Sequence, residues 1–74
     1  MDIDKLVHMA NRIGEFFQAM PDRAEAIDGV AQHLRKFWEP RMRRELLAHV
    51  DRAGGAALLP IVQDALRANR QALG

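Results

Sequence analysis

The sequence predicts an all-α protein, a small bundle of four short helices joined by tight Pro and Gly corners. Three observations carry this. Apolar residues recur at three- and four-residue intervals along the whole chain. Strand formers are sparse, with no Tyr and no alternating run of Val, Ile and Thr. Prolines at positions 21, 40 and 60 divide the chain into four segments of helical length. The 74 residues read as a single helical domain, 1–74, with no linker, repeat or low-complexity stretch. A domain this small buries only about 60% of its unfolded surface. Lacking cysteine, it must be held by tight helix packing or by a partner.

The first helix is expected from Asp2 or Asp4 to Ala19, with either Asp capping its first amides. Its stripe is Ile3, Leu6, Val7, Ala10, Ile13 and Phe17, widened by Met9, Phe16 and Met20. Pro21 ends it. Asp22-Arg23-Ala24-Glu25 then matches a capping box with Asp as the cap. The second helix carries Ile27, Val30, Ala31, Leu34, Phe37 and Trp38 on one side, and Gly29 leaves room for another helix to approach. The residue before Pro40 disfavours the helical region, so this helix stops near Trp38. Pro40 suits the first position of the third helix, whose apolar side is Met42, Leu46, Leu47 and Val50. Gly54-Gly55 closes it. Pro60 opens the fourth, in which Ile61, Val62, Ala65, Leu66, Asn69 and Leu73 line up. Residues 69–74 are expected to fray.

Composition removes most catalytic chemistry. The chain has no Ser, Thr, Cys or Tyr, so acyl transfer through a Ser or Cys nucleophile is excluded. His8, His33 and His49 are isolated from one another. Glu45 and His49 share a helix face, but two ligands make no zinc site and no cysteine can complete it. Gly54-Gly55 lacks the lysine and length of a phosphate-cradling loop and reads as a helix stop. No catalytic and no metal-ligating residue is assigned. The N-terminus, Met1-Asp2-Ile3-Asp4-Lys5, does not read as a signal peptide, and no apolar run approaches the roughly 20 residues of a membrane span. A soluble, cytoplasmic chain with no membrane partner is expected.

What remains is a surface for recognition. Residues 33–44, His33-Leu34-Arg35-Lys36-Phe37-Trp38-Glu39-Pro40-Arg41-Met42-Arg43-Arg44, hold the only Trp, a proline and five of the eleven Lys and Arg. Aromatic residues and arginine are the types that anchor interfaces, and Pro40 fixes the corner that displays them. The formal charge is only +1, yet it is uneven. Residues 1–34 carry three basic and six acidic side chains, whereas residues 35–52 carry six basic and three acidic. A basic girdle of this kind can steer an acidic partner or can simply be a solvated helix face. Phe16-Phe17 and Phe37-Trp38 are adjacent pairs whose members point about 100° apart on a helix. One of each pair is therefore expected in the core and one outside. Candidate partner-binding residues are Phe16, Phe17, Phe37, Trp38, Pro40, Arg41, Arg43 and Arg44. The arginines with Trp38 form the expected dock, and Phe16 or Phe17 is the expected centre of an apolar patch.

Several blocks are familiar together. Met9-Ala10-Asn11-Arg12-Ile13-Gly14-Glu15-Phe16-Phe17, then Met20-Pro21, then His33 to Arg43, resemble the delta subunit of cytoplasmic NAD-dependent formate dehydrogenases. The likeness continues through Gly54-Gly55 and Leu59-Pro60 to Ala65-Leu66. It implies a small non-catalytic subunit associated with a catalytic alpha subunit, which carries molybdenum or tungsten on a bis-molybdopterin guanine dinucleotide and also iron–sulfur clusters. Beta and gamma subunits carry flavin and further clusters in that family. The delta-like chain is implied to assist assembly, cofactor loading or stability, and to bind no cofactor alone. No catalytic residue is carried over.

A reading of a different class is an independent helical regulator that binds nucleic acid through Arg41 to Arg44. The second helix, the Trp38-Glu39-Pro40 corner and the third helix could imitate a helix-turn-helix. However, Met42 and Glu45 interrupt the arginines, and Asn, Gln, Ser or Thr are lacking near that helix start. The leading reading expects no nucleic acid. It also expects the isolated chain to self-associate or to be marginally stable. The reason is its twenty-four Leu, Ile, Val, Met, Phe and Trp residues, more than four short helices readily hide.

Overall fold

Asp2 takes an extended conformation, and its carboxylate accepts the Asp4 N–H at 2.9 Å, which starts helix α1 at Ile3–Phe17. The computed structural model describes residues 2–74; Met1 lies outside the described residues. Helix α2, Arg23–Phe37, begins on the Asp22 cap, whose carboxylate accepts the Glu25 N–H at 3.1 Å. Trp38 leaves the helix in the extended region, as a residue two before proline allows and the Glu39-Pro40 pair completes. Helix α3, Pro40–Ala53, starts on proline and ends at Gly54, whose φ of 82° is the left-handed conformation glycine adopts freely. Helix α4, Pro60–Ala68, also starts on proline, and a single turn, α5, spans Arg70–Leu73. No strand occurs among the described residues.

The expected architecture is all-helical, and the chain forms it with two corrections. The first is at the C-terminus. Residues 69–74 do not fray but form α5, and Leu73 is only 1% exposed within the core. Asn69 breaks α4 and its side-chain amide donates back to the Ala65 carbonyl at 3.1 Å. The break turns Leu73 inward, and burying that leucine stabilises the turn by about 1.5–3 kcal/mol. The second is on α1. It stops at Phe17, and Met9 and Phe16 lie on its solvent side instead of widening the buried stripe.

The core gathers Leu6 and Ala10 from α1, Ala26, Val30 and Leu34 from α2, and Leu46 and Leu47 from α3. Ile61, Val62, Ala65 and Leu66 from α4, together with Trp38, Leu58 and Leu73, complete it. Two glycines set how closely the helices meet. A Cβ on Gly14 would stand 2.7 Å from Val62 Cγ2, so α1 and α4 touch at a point where only hydrogen fits. A Cβ on Gly29 would stand 2.4 Å from the Phe17 ring, which is the close approach that glycine's position in α2 suggests. The connection between α3 and α4 is clamped by two amide side chains. Asn11 donates to the Ala57 carbonyl and accepts from the Leu59 N–H, both at 2.9 Å. Gln63 donates to the Gly55 and Leu58 carbonyls at 2.6 and 2.9 Å.

Helix α5 is held to α3 by the Asp51–Arg70 pair, in which both guanidinium nitrogens donate to the two carboxylate oxygens. Arg70's hydrogen bond lowers the Asp51 pKa; desolvation opposes it, and the Arg70 charge adds a lesser push in the lowering direction. A lowered carboxylate pKa contributes stability that is complete above the ordinary aspartate value and lost as pH falls through the lowered one. Arg70 keeps its proton throughout that range. Acidification below about pH 4 is therefore expected to lower amide protection, measured against the intrinsic exchange rate, in α5 before the rest of the bundle. The Asp51→Asn variant should lose this pH dependence and also its salt sensitivity, because both partners are half exposed and screened. Uniform exchange across all helices on acidification would contradict it.

Candidate functional site

The adjacent aromatic pairs divide as their 100° offset requires. Trp38 is 6% exposed and belongs to the core, while its neighbour Phe37 is 71% exposed. Phe17 lies half-buried against Gly29, while Phe16 is 73% exposed. The exposed rings are not scattered. Phe16 and Phe17 meet edge to face with centroids 5.0 Å apart, Phe17 and His33 at 6.3 Å, and His33 and Phe37 at 4.7 Å. A continuous aromatic ladder thus crosses from α1 to α2.

Beside it runs an open groove of about 580 Å³ lined by Arg12, Ile13, Phe16, Phe17 and His33. The lining follows helix geometry: Arg12 with Phe16, and Ile13 with Phe17, are i,i+4 pairs on α1, and His33 with Phe37 is one on α2. Arg12 makes no hydrogen bond or ion pair among the described residues. Of the candidate partner-binding residues, Phe16, Phe17 and Phe37 are brought together along this ladder. Arg12, Ile13 and His33 are not among the candidate partner-binding residues: the sequence places Ile13 on the buried stripe and His33 only within the 33–44 block, although i,i+4 spacing puts Arg12 and Ile13 beside Phe16 and Phe17 and His33 beside Phe37.

The dock expected around the proline corner is rearranged. Pro40, Arg41 and Arg44 are exposed, and Arg41 pairs loosely with Glu45 at 3.6 Å. Trp38 is not displayed with them, because its indole fills the core at the end of α2. Arg43 turns inward as well. Its Nη1 donates to the Arg35 carbonyl at 2.9 Å and to the Trp38 carbonyl at 3.1 Å, and its Nε donates to the Leu73 carbonyl at 3.1 Å. These are carbonyls that the end of α2 and the end of α5 leave unpaired, so a cation there is favoured by both hydrogen bonding and the helix dipole. Replacing all three arginines together would consequently disturb the fold as well as the surface. The inward turn of Arg43 also leaves Arg41 and Arg44 alone as outward cations at the start of α3.

Chemistry other than recognition finds little material. Among the described residues, no three His, Asp or Glu side chains converge where they could hold a metal ion. An iron–sulfur cluster needs thiolate ligands, and the chain has no cysteine, so its residues do not fit that group. Among the described residues no helix is long and apolar enough to cross a membrane.

The chain is a small all-helical bundle that carries an exposed aromatic ladder and has no Ser, Thr, Cys or Tyr. The family model described as NADH-dependent formate dehydrogenase delta subunit FdsD matches residues 5–66, and the chain belongs to that family. Nothing among curated proteins and nothing among solved structures matches it.

Proposed function

We propose that this chain is a non-catalytic, delta-like subunit that docks on the molybdopterin-containing catalytic subunit of an NAD-dependent formate dehydrogenase. It acts in the cytoplasm and assists the assembly, cofactor loading or stability of that subunit. The bis-molybdopterin guanine dinucleotide and the iron–sulfur clusters are held by the partner, with beta and gamma subunits completing the complex. The observation that carries this reading is the ladder of Phe16, Phe17 and Phe37 with His33. Two rings more than two-thirds exposed are costly in a protein that meets only water, and they anchor an interface when a partner covers them. Arg41 and Arg44 are exposed cations at the start of α3, of the kind that steer encounter more than they hold a complex.

The test is native affinity purification of the tagged chain from an extract containing the complex. The wild-type chain is expected to bring down a large polypeptide that contains molybdenum or tungsten. The double variant Phe16→Ser/Phe37→Ser is expected to weaken binding at least about thirtyfold, which corresponds to the roughly 2 kcal/mol or more seen for interface anchors. Metal content of the catalytic subunit should fall when this chain is deleted. Recovery of nucleic acid with no oxidoreductase subunit would sink the reading in favour of the independent regulator.

A further inference from the structure

The groove between α1 and α2 has a chemistry that narrows what covers it. Its walls are Ile13, Phe16 and Phe17, and its polar groups are Arg12 and His33. Both polar groups are basic in type, no carboxylate lines the groove, and Arg12 has no internal partner among the described residues. Covering an unpaired guanidinium with an apolar or basic surface would cost its hydration with no return. Covering it with a carboxylate gives a charge-assisted, two-pronged hydrogen bond. The groove's apolar walls meanwhile call for a branched aliphatic or Met side chain. Two i,i+4 rows line the α1 side, which suits an occupant whose own contacts repeat at helical spacing. A second copy of this chain fits less well. A two-fold interface through this groove would set Arg12 near the other copy's Arg12 in a site with no acid to offset them.

We propose that this groove takes an amphipathic helical segment of the catalytic subunit, with a large aliphatic side chain against the apolar wall of Ile13, Phe16 and Phe17 and a carboxylate one turn away on Arg12. The proposal rests on the docking reading above and specifies its chemistry.

The experiment places the photo-cross-linking residue p-benzoylphenylalanine at position 16 in the full chain, co-expressed with the complex, and sequences the cross-linked peptide. The expected peptide comes from the catalytic subunit and carries Leu, Ile or Met within four residues of an Asp or Glu. In parallel, Arg12→Glu is expected to weaken co-purification about tenfold at low salt, and the deficit should shrink at 0.5 M salt as screening removes the repulsion. Both positions are exposed, so an unchanged thermal melt is expected and confirms that folding is not the cause. A cross-link to a second copy, a cross-link to a segment without acids, or an Arg12→Glu variant that binds like wild type would each overturn the inference. In all three cases the wild-type chain would still co-purify and the docking reading would stand. Failure of the wild-type chain to co-purify with the catalytic subunit would end both.

Discussion

Replacing Trp38 by alanine is expected to leave the chain largely unfolded at physiological temperature, whereas replacing its neighbour Phe37 is expected to leave the fold intact. Trp38 is 6% exposed and belongs to the core cluster that also holds Leu34, Leu46 and Leu73. Truncating a buried Trp costs about 3–5 kcal/mol through lost transfer energy and the cavity left behind. The whole domain holds only roughly 4–11 kcal/mol, taking 0.05–0.15 kcal/mol for each of 74 residues. The melting temperature should fall by at least about 12 °C, since 1 kcal/mol is worth some 4–8 °C at this size. Phe37 is 71% exposed, and its loss should shift stability by less than about 0.5 kcal/mol. Its loss should instead show in co-purification with the catalytic subunit. Thermal melts of the two variants by circular dichroism decide the matter. Equal destabilisation by both would mean that the two rings are misassigned between core and interface.

That division shows how much could be read without coordinates. Helical offset alone requires that adjacent aromatics separate, and it does not say which one goes in. The choice between Phe37 and Trp38 coincides with the turn out of α2, where Trp38 adopts an extended conformation and its side chain is buried. The capped starts at Asp2 and Asp22, the proline starts at Pro40 and Pro60, and the glycine stop at Gly54 are local events. They are legible because the residue type itself supplies the missing hydrogen bond or the special φ. The fifth helix is not legible in this way. Residues 69–74 have no strong cap or stripe of their own, and their order comes from Leu73 entering a core built by the four other helices. The groove follows the same rule. Phe16 and Phe37 announce themselves by type, while Arg12 and His33 gain meaning only when α1 and α2 are laid side by side at Gly29. Asn11 was equally silent, because its two hydrogen bonds reach residues 57 and 59 across the fold.

Arg43 carries the second large expected effect, and it separates folding from docking within one run of arginines. Its guanidinium satisfies the Arg35, Trp38 and Leu73 carbonyls, joining the end of α2 to the end of α5. Removing a charged donor that serves several partners costs about 1.5–3 kcal/mol, and part-buried carbonyls are left short of a donor. Arg43→Ala is therefore expected to lower the melting temperature by roughly 6–24 °C at 4–8 °C per kcal/mol. It should also speed amide exchange most at α5. Arg43→Lys should recover only part of this, because a single ammonium cannot hold the planar fork that reaches all three oxygens. Arg41→Ala and Arg44→Ala, on exposed side chains, should stay within about 0.5 kcal/mol of wild type. Their effect should fall on the rate of association and on its salt dependence. An Arg43→Ala protein with an unchanged melt and unchanged exchange at α5 would show that the three hydrogen bonds carry no weight. Arg43 would then return to Arg41 and Arg44 as a candidate partner contact.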